Sequence, residues 1–591
     1  MTPSDKRNLI AQWAFDTRPV LTRFHLWLED VEVLRAQEDP VTAHSFAPRG
    51  IARSLAMTSA ATALGTRLFG HFGEGRGKDK ATYNQMKKAA DAVSAYVMSE
   101  GLWALTRNLP ENHAVMVCLG EGIMPKAGET PEMGANPLLG FGRVYARPEV
   151  ARALDDLVRR LLNDKGFGWE EFYAELRLRR ITVWGAAVDT LENTSRFAEG
   201  KSTGPMAVMH LFDSPLRVTR PYEAYMGNLT VPRAVAEAAA RTSVLLDYCT
   251  PRDRVLDAVL AAYPGIDRRH VHVWTLSGKS RAQRLGRLWK TWADLGVHVV
   301  EDGWKAPSGL PVFTDSGTYA PTFLVRAWKN EAGATHVFLC DGYAATTEAM
   351  QAASLAEVLD LDCSMAPFSP TFELPYDDEY QLMKLRPDSP QFEADIKALL
   401  ADLPVDDAKV AHYRAAIAEA RTSHVDLDKR TLRADDFLPE KGWRTMACTG
   451  YMCDDPYTGM HGVEQLDERR FRVTTQLATR RASSRITFTF RFNEDLDHAR
   501  QVFSPLLVRY LQGLDFNARA VKVSDSGRIR NELQTMFSQA CEYQGERMRI
   551  HFDRVDESVM PKRDCQTLAK VLRAYREAHP VWFSWLDVAG D

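Results

Sequence analysis

The chain is poor in the residues that would staple or anchor it. Cysteine is scarce: eight in 591 residues, at Cys118, Cys249, Cys340, Cys363, Cys448, Cys453, Cys541 and Cys565. No CxxC occurs, and the closest pair, Cys448 and Cys453, has four residues between. That spacing encodes neither a zinc site nor a disulfide framework. Buried thiols in a reducing cytosol are the simpler reading. Long apolar runs are missing too, and none approaches the ~18 residues of a spanning helix. The first 30 residues carry charges throughout, among them Asp5, Lys6, Arg7, Asp16, Arg18 and Arg23, so no signal-peptide stretch is expected there. A cytoplasmic protein with no membrane partner follows as the expectation. Charge of one sign is also lacking. A net charge of −4 and a pI near 6.5 argue against nucleic acid or an anionic membrane as the main partner.

Several catalytic signatures are absent as well. Gly278-Lys279-Ser280 has Val273 where a P-loop needs its first glycine, and Gly200-Lys201-Ser202 has Ser195 there. Both miss GxxxxGK(S/T). No GxSxG removes the nucleophile elbow of α/β-hydrolases. No HExxH is present, and His113, His210, His272 and His461 show no metal-ligand spacing. Asp360-Leu361-Asp362 has the letters of a DxD motif, but follows a helical pattern rather than a strand. No metal site and no cofactor is assigned.

What is present is an ordinary globular composition, 45% hydrophobic and 26% charged. The length suits about three or four domains. The most informative stretch runs from Val271 to Arg281 and on to Glu301-Asp302-Gly303. Val271 to Leu276 reads as a buried strand. Ser277 to Ser280 reads as a turn. Leu285, Leu288, Trp289 and Trp292 then fall on one helix face, and Val297 to Val300 is strand again. A βαβ unit with parallel strands is expected. Unpaired N–H groups at the helix start, beside Ser277, Gly278, Lys279, Ser280 and Arg281, favour an anion. The alternative is an ordinary solvated surface turn.

His113 to Leu119, Ile181 to Val188, Met206 to Phe212 and Thr335 to Cys340 are further expected strands. Helices are expected over Pro148 to Leu162, Thr250 to Ala262 (a capping threonine with proline at the first position) and Ala344 to Leu359. Alternation of strand and helix predicts a mainly parallel, doubly wound, Rossmann-like α/β domain over 111–362. Residues 1–110 read as a helical region, with Phe24 to Leu34 and Met86 to Leu105 as amphipathic stretches. Residues 363–440 read as a linker and helical connector. Residues 441–591 read as a separate α/β or α+β domain, in which Phe471 to Leu477 and Ile486 to Phe492 alternate as two antiparallel strands.

Polar residues at expected strand ends are the candidate chemistry. Asp341 follows a buried strand and precedes a helix, so it caps that helix, holds a metal or acts as a general base. Glu121 and Asp315 are further carboxylates at such ends, and Asp302 is similar. Ser526, Arg528 and Arg530 repeat the strand-turn-helix pattern and form a second candidate anion site. Gly70 to Lys80 holds four glycines in eight positions, and is either a mobile loop or a close approach to a ligand. The acidic run Tyr376 to Tyr380 reads as an exposed face rather than a metal site. The arginine-rich stretch Arg469 to Arg491 reads as a solvated face or oligomer contact, because its aromatic residues alternate with the arginines. Thirteen tryptophans are compatible with a homo-oligomer but do not require one.

The expectation is an enzyme acting on a phosphate- or carboxylate-bearing metabolite (a sugar phosphate, a nucleotide or a CoA-type thioester). The competing expectation is a two-lobed ligand-binding or regulatory protein without catalysis.

Overall fold

A computed structural model describes residues 2–35, 51–120, 139–164, 166–218, 225–278, 281–307, 309, 311–315, 317–356, 358–367, 374–400, 405–421, 431–439, 445–451, 462–479, 483–492, 541–544, 547–554, scattered positions over 562–577, and 586–589. Its strands in chain order are β1 (Leu26–Arg35), β2 (His113–Leu119), β3 (Val144–Ala146), β4 (Thr182–Glu192), β5 (Met206–Phe212), β6 (Tyr225–Pro232), β7 (Val271–Trp274), β8 (His298–Val299) and β9 (Arg326–Lys329). They continue with β10 (Thr335–Ala345), β11 (Leu361–Pro367), β12 (Thr445–Tyr451), β13 (Val463–Gln465), β14 (Arg470–Thr479), β15 (Ser483–Phe492), β16 (Cys541–Gln544), β17 (Arg547–His551) and β18 (Leu586–Ala589). Contacts divide the chain into two units. The first holds residues 1–216, 443–455 and 459–591; the second holds 217–442 and 456–458. Among the described residues no helix is long and apolar enough to cross a membrane.

The first unit is built on one large sheet in the order β1-β15-β14-β12-β5-β4-β2-β3, with β13 on β14. Only β2 and β4 in it run parallel; the other pairs are antiparallel. The hairpin β14–β15 forms as its alternation predicts. Ile486, Phe488, Phe490 and Phe492 are buried, while Arg485 before them and Arg491 between the last two are exposed. Phe488 meets Trp13 of the first helix edge to face at 5.3 Å. The helices Ile51–Phe69 and Lys80–Leu105 pack against each other and this sheet. The first is buried almost throughout. Its threonine hydroxyls are satisfied within the helix: Thr58, Thr62 and Thr66 each donate to the carbonyl four residues back, at 2.7–2.8 Å. Gly450 of β12 lets this helix come close, since a Cβ there would lie 2.7 Å from Ser59 O. A small sheet, β16-β17-β18, completes the unit.

The second unit carries the order β11-β6-β10-β7-β8, with β9 on β10. The expected βαβ unit is there: β7, the helix Ala282–Asp294 and β8, with His272 level with His298 on parallel strands. β10 also runs parallel to β7. But β6 is antiparallel to both neighbours, and β9 is antiparallel to β10.

These sheets correct the expected fold class. Neither is a mainly parallel, doubly wound sheet. A fully buried apolar strand such as β5 suggests parallel neighbours, yet β5 lies antiparallel between β4 and β12. Continuous burial reports cover on both faces, and antiparallel strands get that cover here as well. The N-terminal region is not wholly helical either. Leu26–Arg35 is a strand paired with β15, although its apolar residues also fit a helical period. Nor does the C-terminal part build a sheet only of its own, because β12, β14 and β15 complete the sheet begun by β1 to β5.

Candidate functional site

The C-terminal end of β7 is where the described polar residues gather. After Trp274 the chain leaves the strand, and Gly278 takes φ +111°, a conformation that suits glycine. The helix Ala282–Asp294 then starts with no side-chain cap among the described residues. Its first N–H groups therefore favour an anion. The turn is held from inside. Ser277 N–H donates to Thr314 O at 2.8 Å, and the two hydroxyls also touch. Thr314 N–H donates to Asp302 Oδ1 at 3.2 Å. Arg281 N–H donates to Gly278 O at 3.0 Å, and its guanidinium to Ser277 O at 2.9 Å. One helical turn on, the Arg284 guanidinium lies 4.9 Å from the ring of Tyr343 on β10. The same loops carry Gly317 against the carboxylate of Glu348, a buried residue in the first turn of the helix Thr346–Leu355. Asp315 is exposed beside them.

Of the sequence candidates, Ser277, Gly278, Arg281 and Asp315 thus share one cluster of loops, joined by Thr314, Arg284 and Glu348. Lys279, Ser280, Glu121, Ser526, Arg528 and Arg530 lie outside the described residues.

Asp341 is placed elsewhere. Strand alternation sends it to the face covered by the helices Arg252–Ala262 and Ala282–Asp294. There it is fully buried and receives Arg252 Nε and Nη2, both at 2.7 Å, and Trp292 Nε1 at 2.6 Å. Arg252 Nη1 donates to the carbonyls of Tyr248 (2.6 Å) and Thr250 (2.8 Å). Thr250 does not cap its helix as expected; its hydroxyl binds Asp247 Oδ1 at 3.0 Å. A cleft of about 470 Å3 opens beside this pair, lined among others by Tyr248, Tyr376, Tyr380, Asp253 and Asp294. Burial, then the Asp341 charge, raises the Tyr248 phenol. Burial pushes that of Tyr376 up to about 12. These groups are neutral hydrogen-bonding partners, and the carboxylates on the wall make the cleft a poor place for an anion.

A row of histidines was missed. His272 Nδ1 lies 2.8 Å from His298 Nδ1, and His272 Nε2 lies 2.9 Å from His336 Nδ1. His336 Nε2 is 3.1 Å from Asn330 Nδ2. Asn330 Oδ1 accepts Ala334 N–H at 2.9 Å, which orients the amide. With Nδ2 donating, His336 Nε2 must accept, so His336 Nδ1 donates to His272 and His272 Nδ1 donates to His298. All three rings are then neutral, each with one proton. Burial, then the neighbouring histidines, lowers His272 to about 3. Burial lowers His298 and His336 as well. His270 stacks on His336 at 4.0 Å. The signal was in the sequence: His-Val recurs at 272–273, 298–299 and 336–337, on adjoining parallel strands.

Three other stretches are explained structurally. The glycine-rich loop approaches backbone. Gly73 and Gly75 N–H donate to Phe197 and Ala198 carbonyls at 3.1 and 3.0 Å. The arginines of β14 and β15 meet carboxylates: Arg470 with Asp467 and Glu29, Arg472 with Glu464, and Arg491 with Glu29. The acidic run is a helix, Tyr376–Lys384, whose Glu379 is buried and accepts Leu374 N–H. The chain matches no known protein-family model and no curated protein by sequence.

Proposed function

We propose that the second unit binds a small metabolite bearing phosphate or carboxylate at the end of β7, and that the chain is an enzyme acting on it. One observation carries the reading: the helix Ala282–Asp294 begins without a side-chain cap, behind a left-handed Gly278, with Arg281 at its N-cap position and Arg284 in its first turn. A helix start with two guanidiniums stabilises an anion by N–H donation, dipole and charge together. Glu348, buried at the same loops, is the group assigned to acid–base work. Ser277 and Thr314 supply hydroxyls for the rest of the ligand. Cys118, Cys340 and Cys363 are buried thiols outside any disulfide, which fits a reducing compartment.

A second reading, binding without catalysis, is favoured by Asp341. Its oxygens are already taken by Arg252 and Trp292, so they offer no base to a substrate. A thermal-shift screen with sugar phosphates, nucleotides, CoA esters and organic acids tests the site. A midpoint rise that Arg281→Ala with Arg284→Ala abolishes supports it; a rise unchanged in that variant refutes it. For a hit, turnover lost in Glu348→Gln with binding retained separates enzyme from binding protein.

A further inference from the structure

Glu348 is a buried carboxylate with no counter-charge among the described residues. It is the one charged residue of the helix Thr346–Leu355 and is 9% exposed. Among the described residues it has neither an ion pair nor a hydrogen bond. A carboxylate taken out of water is costly unless a cation or several donors meet it. Asp341 has Arg252 for that purpose; Glu348 has no such residue. Its place in the first turn of its helix favours a negative charge, because the dipole is positive there.

The loop beside Glu348 closes on it without supplying the missing charge. A Cβ at Gly317 would overlap Glu348 Oε2, so only glycine lets the backbone come this close. The next residue, Thr318, is fully buried, and its hydroxyl has no hydrogen-bond partner among the described residues. A buried hydroxyl left unpaired is itself costly. Two buried polar groups of one loop cluster therefore both call for a partner. They adjoin the start of the helix Ala282–Asp294. Ser277 N–H donates to Thr314 O at 2.8 Å, and Thr314 stands three residues before Gly317, at most about 10 Å of chain.

We propose that the ligand of the β7 site carries an amine as well as its anion. The proposal rests on the anion-binding reading of that site and narrows its ligand to an amine-bearing phosphate or carboxylate. The phosphate or carboxylate lies at the helix start, beside Arg281. The ammonium donates to the Glu348 carboxylate and to the Thr318 hydroxyl, which accepts. One carboxylate balances one ammonium. An alcohol in its place would bond Glu348 but leave the charge uncompensated.

The test is isothermal titration of the full chain, with a chelator present, against ω-aminoalkyl phosphates of two to four carbons and their ω-hydroxyalkyl counterparts. The best amine is expected to bind at least tenfold tighter than its alcohol. Glu348→Gln keeps the shape but not the charge. It is expected to fold with an unchanged Tm and to bring the amine down to the affinity of the alcohol. Thr318→Val is expected to weaken the amine alone. Arg281→Ala is expected to weaken both series alike, since it acts at the anion. Equal binding of amine and alcohol by the parent chain overturns the proposal and leaves the anion site standing. An amine preference that Glu348→Gln retains overturns it too. So does binding that appears only with added Mg2+ and is lost in Glu348→Gln, which would make the missing cation a metal. No binding of either series overturns the proposal together with the reading it rests on.

Discussion

Asp341 and Arg252 form a buried two-pronged ion pair, with both N···O distances 2.7 Å and the side chains 0% and 5% exposed. The pair ties β10 to the helix Arg252–Ala262, and Trp292 Nε1 joins it from the next helix. Three elements of the second unit therefore converge on one carboxylate.

Removing that carboxylate strands the guanidinium. Asp341→Ala is expected to destabilise the second unit by about 3–5 kcal/mol, the usual cost of leaving one partner of a buried pair uncompensated. Asp341→Leu combined with Arg252→Met is expected to cost less than either single change. Urea unfolding of the three variants checks this; equal losses in singles and double would contradict it.

Acid is expected to weaken the second unit through the histidine row. His272, His298 and His336 all titrate lower folded than unfolded. The unfolded chain thus takes up protons first as pH falls. The stability they contribute is complete above about pH 6.5, the unfolded value. It drains as pH falls toward about 3, where folded His272 titrates. For His272 alone the slope is about 1.4 kcal/mol per pH unit. Urea midpoints measured between pH 7.5 and 4 should fall, and His272→Phe should flatten the fall. A flat profile in the parent chain would contradict the assignment.

Gly200 and Gly73 meet backbone to backbone, with φ of +69° and +79°. A Cβ at Gly200 would lie 2.9 Å from Gly73 Cα. Gly200→Ala is therefore expected to cost more than ~1 kcal/mol, because it adds both a clash and a left-handed side chain. A lowered Tm by calorimetry is the expected result. An unchanged Tm would show that the loop yields.

The sequence was legible where a pattern had one physical cause. The alternation of Ile486, Phe488 and Phe490 means one buried face, and β15 has one. The β7-helix-β8 unit was readable because a short strand, a turn and an amphipathic helix leave little choice. Strand direction was not readable. The burial of Met206 to Phe212 is equally consistent with parallel or antiparallel neighbours, and the partners of β5 include β12, more than 200 residues away. Asp341 shows the same limit for the site. A carboxylate at a strand end was visible, but its partner Arg252 lies 89 residues earlier. Glu348 was hidden as the one charged residue of an alanine-rich helix, Thr346–Leu355.

The most direct measurement is equilibrium dialysis of the full chain against radiolabelled inorganic pyrophosphate, the simplest anion that spans a helix start and two guanidiniums. The account predicts one saturable site in the second unit, weakened at least tenfold in Arg281→Ala with Arg284→Ala. The absence of saturable binding, or binding that the double variant retains in full, would contradict it.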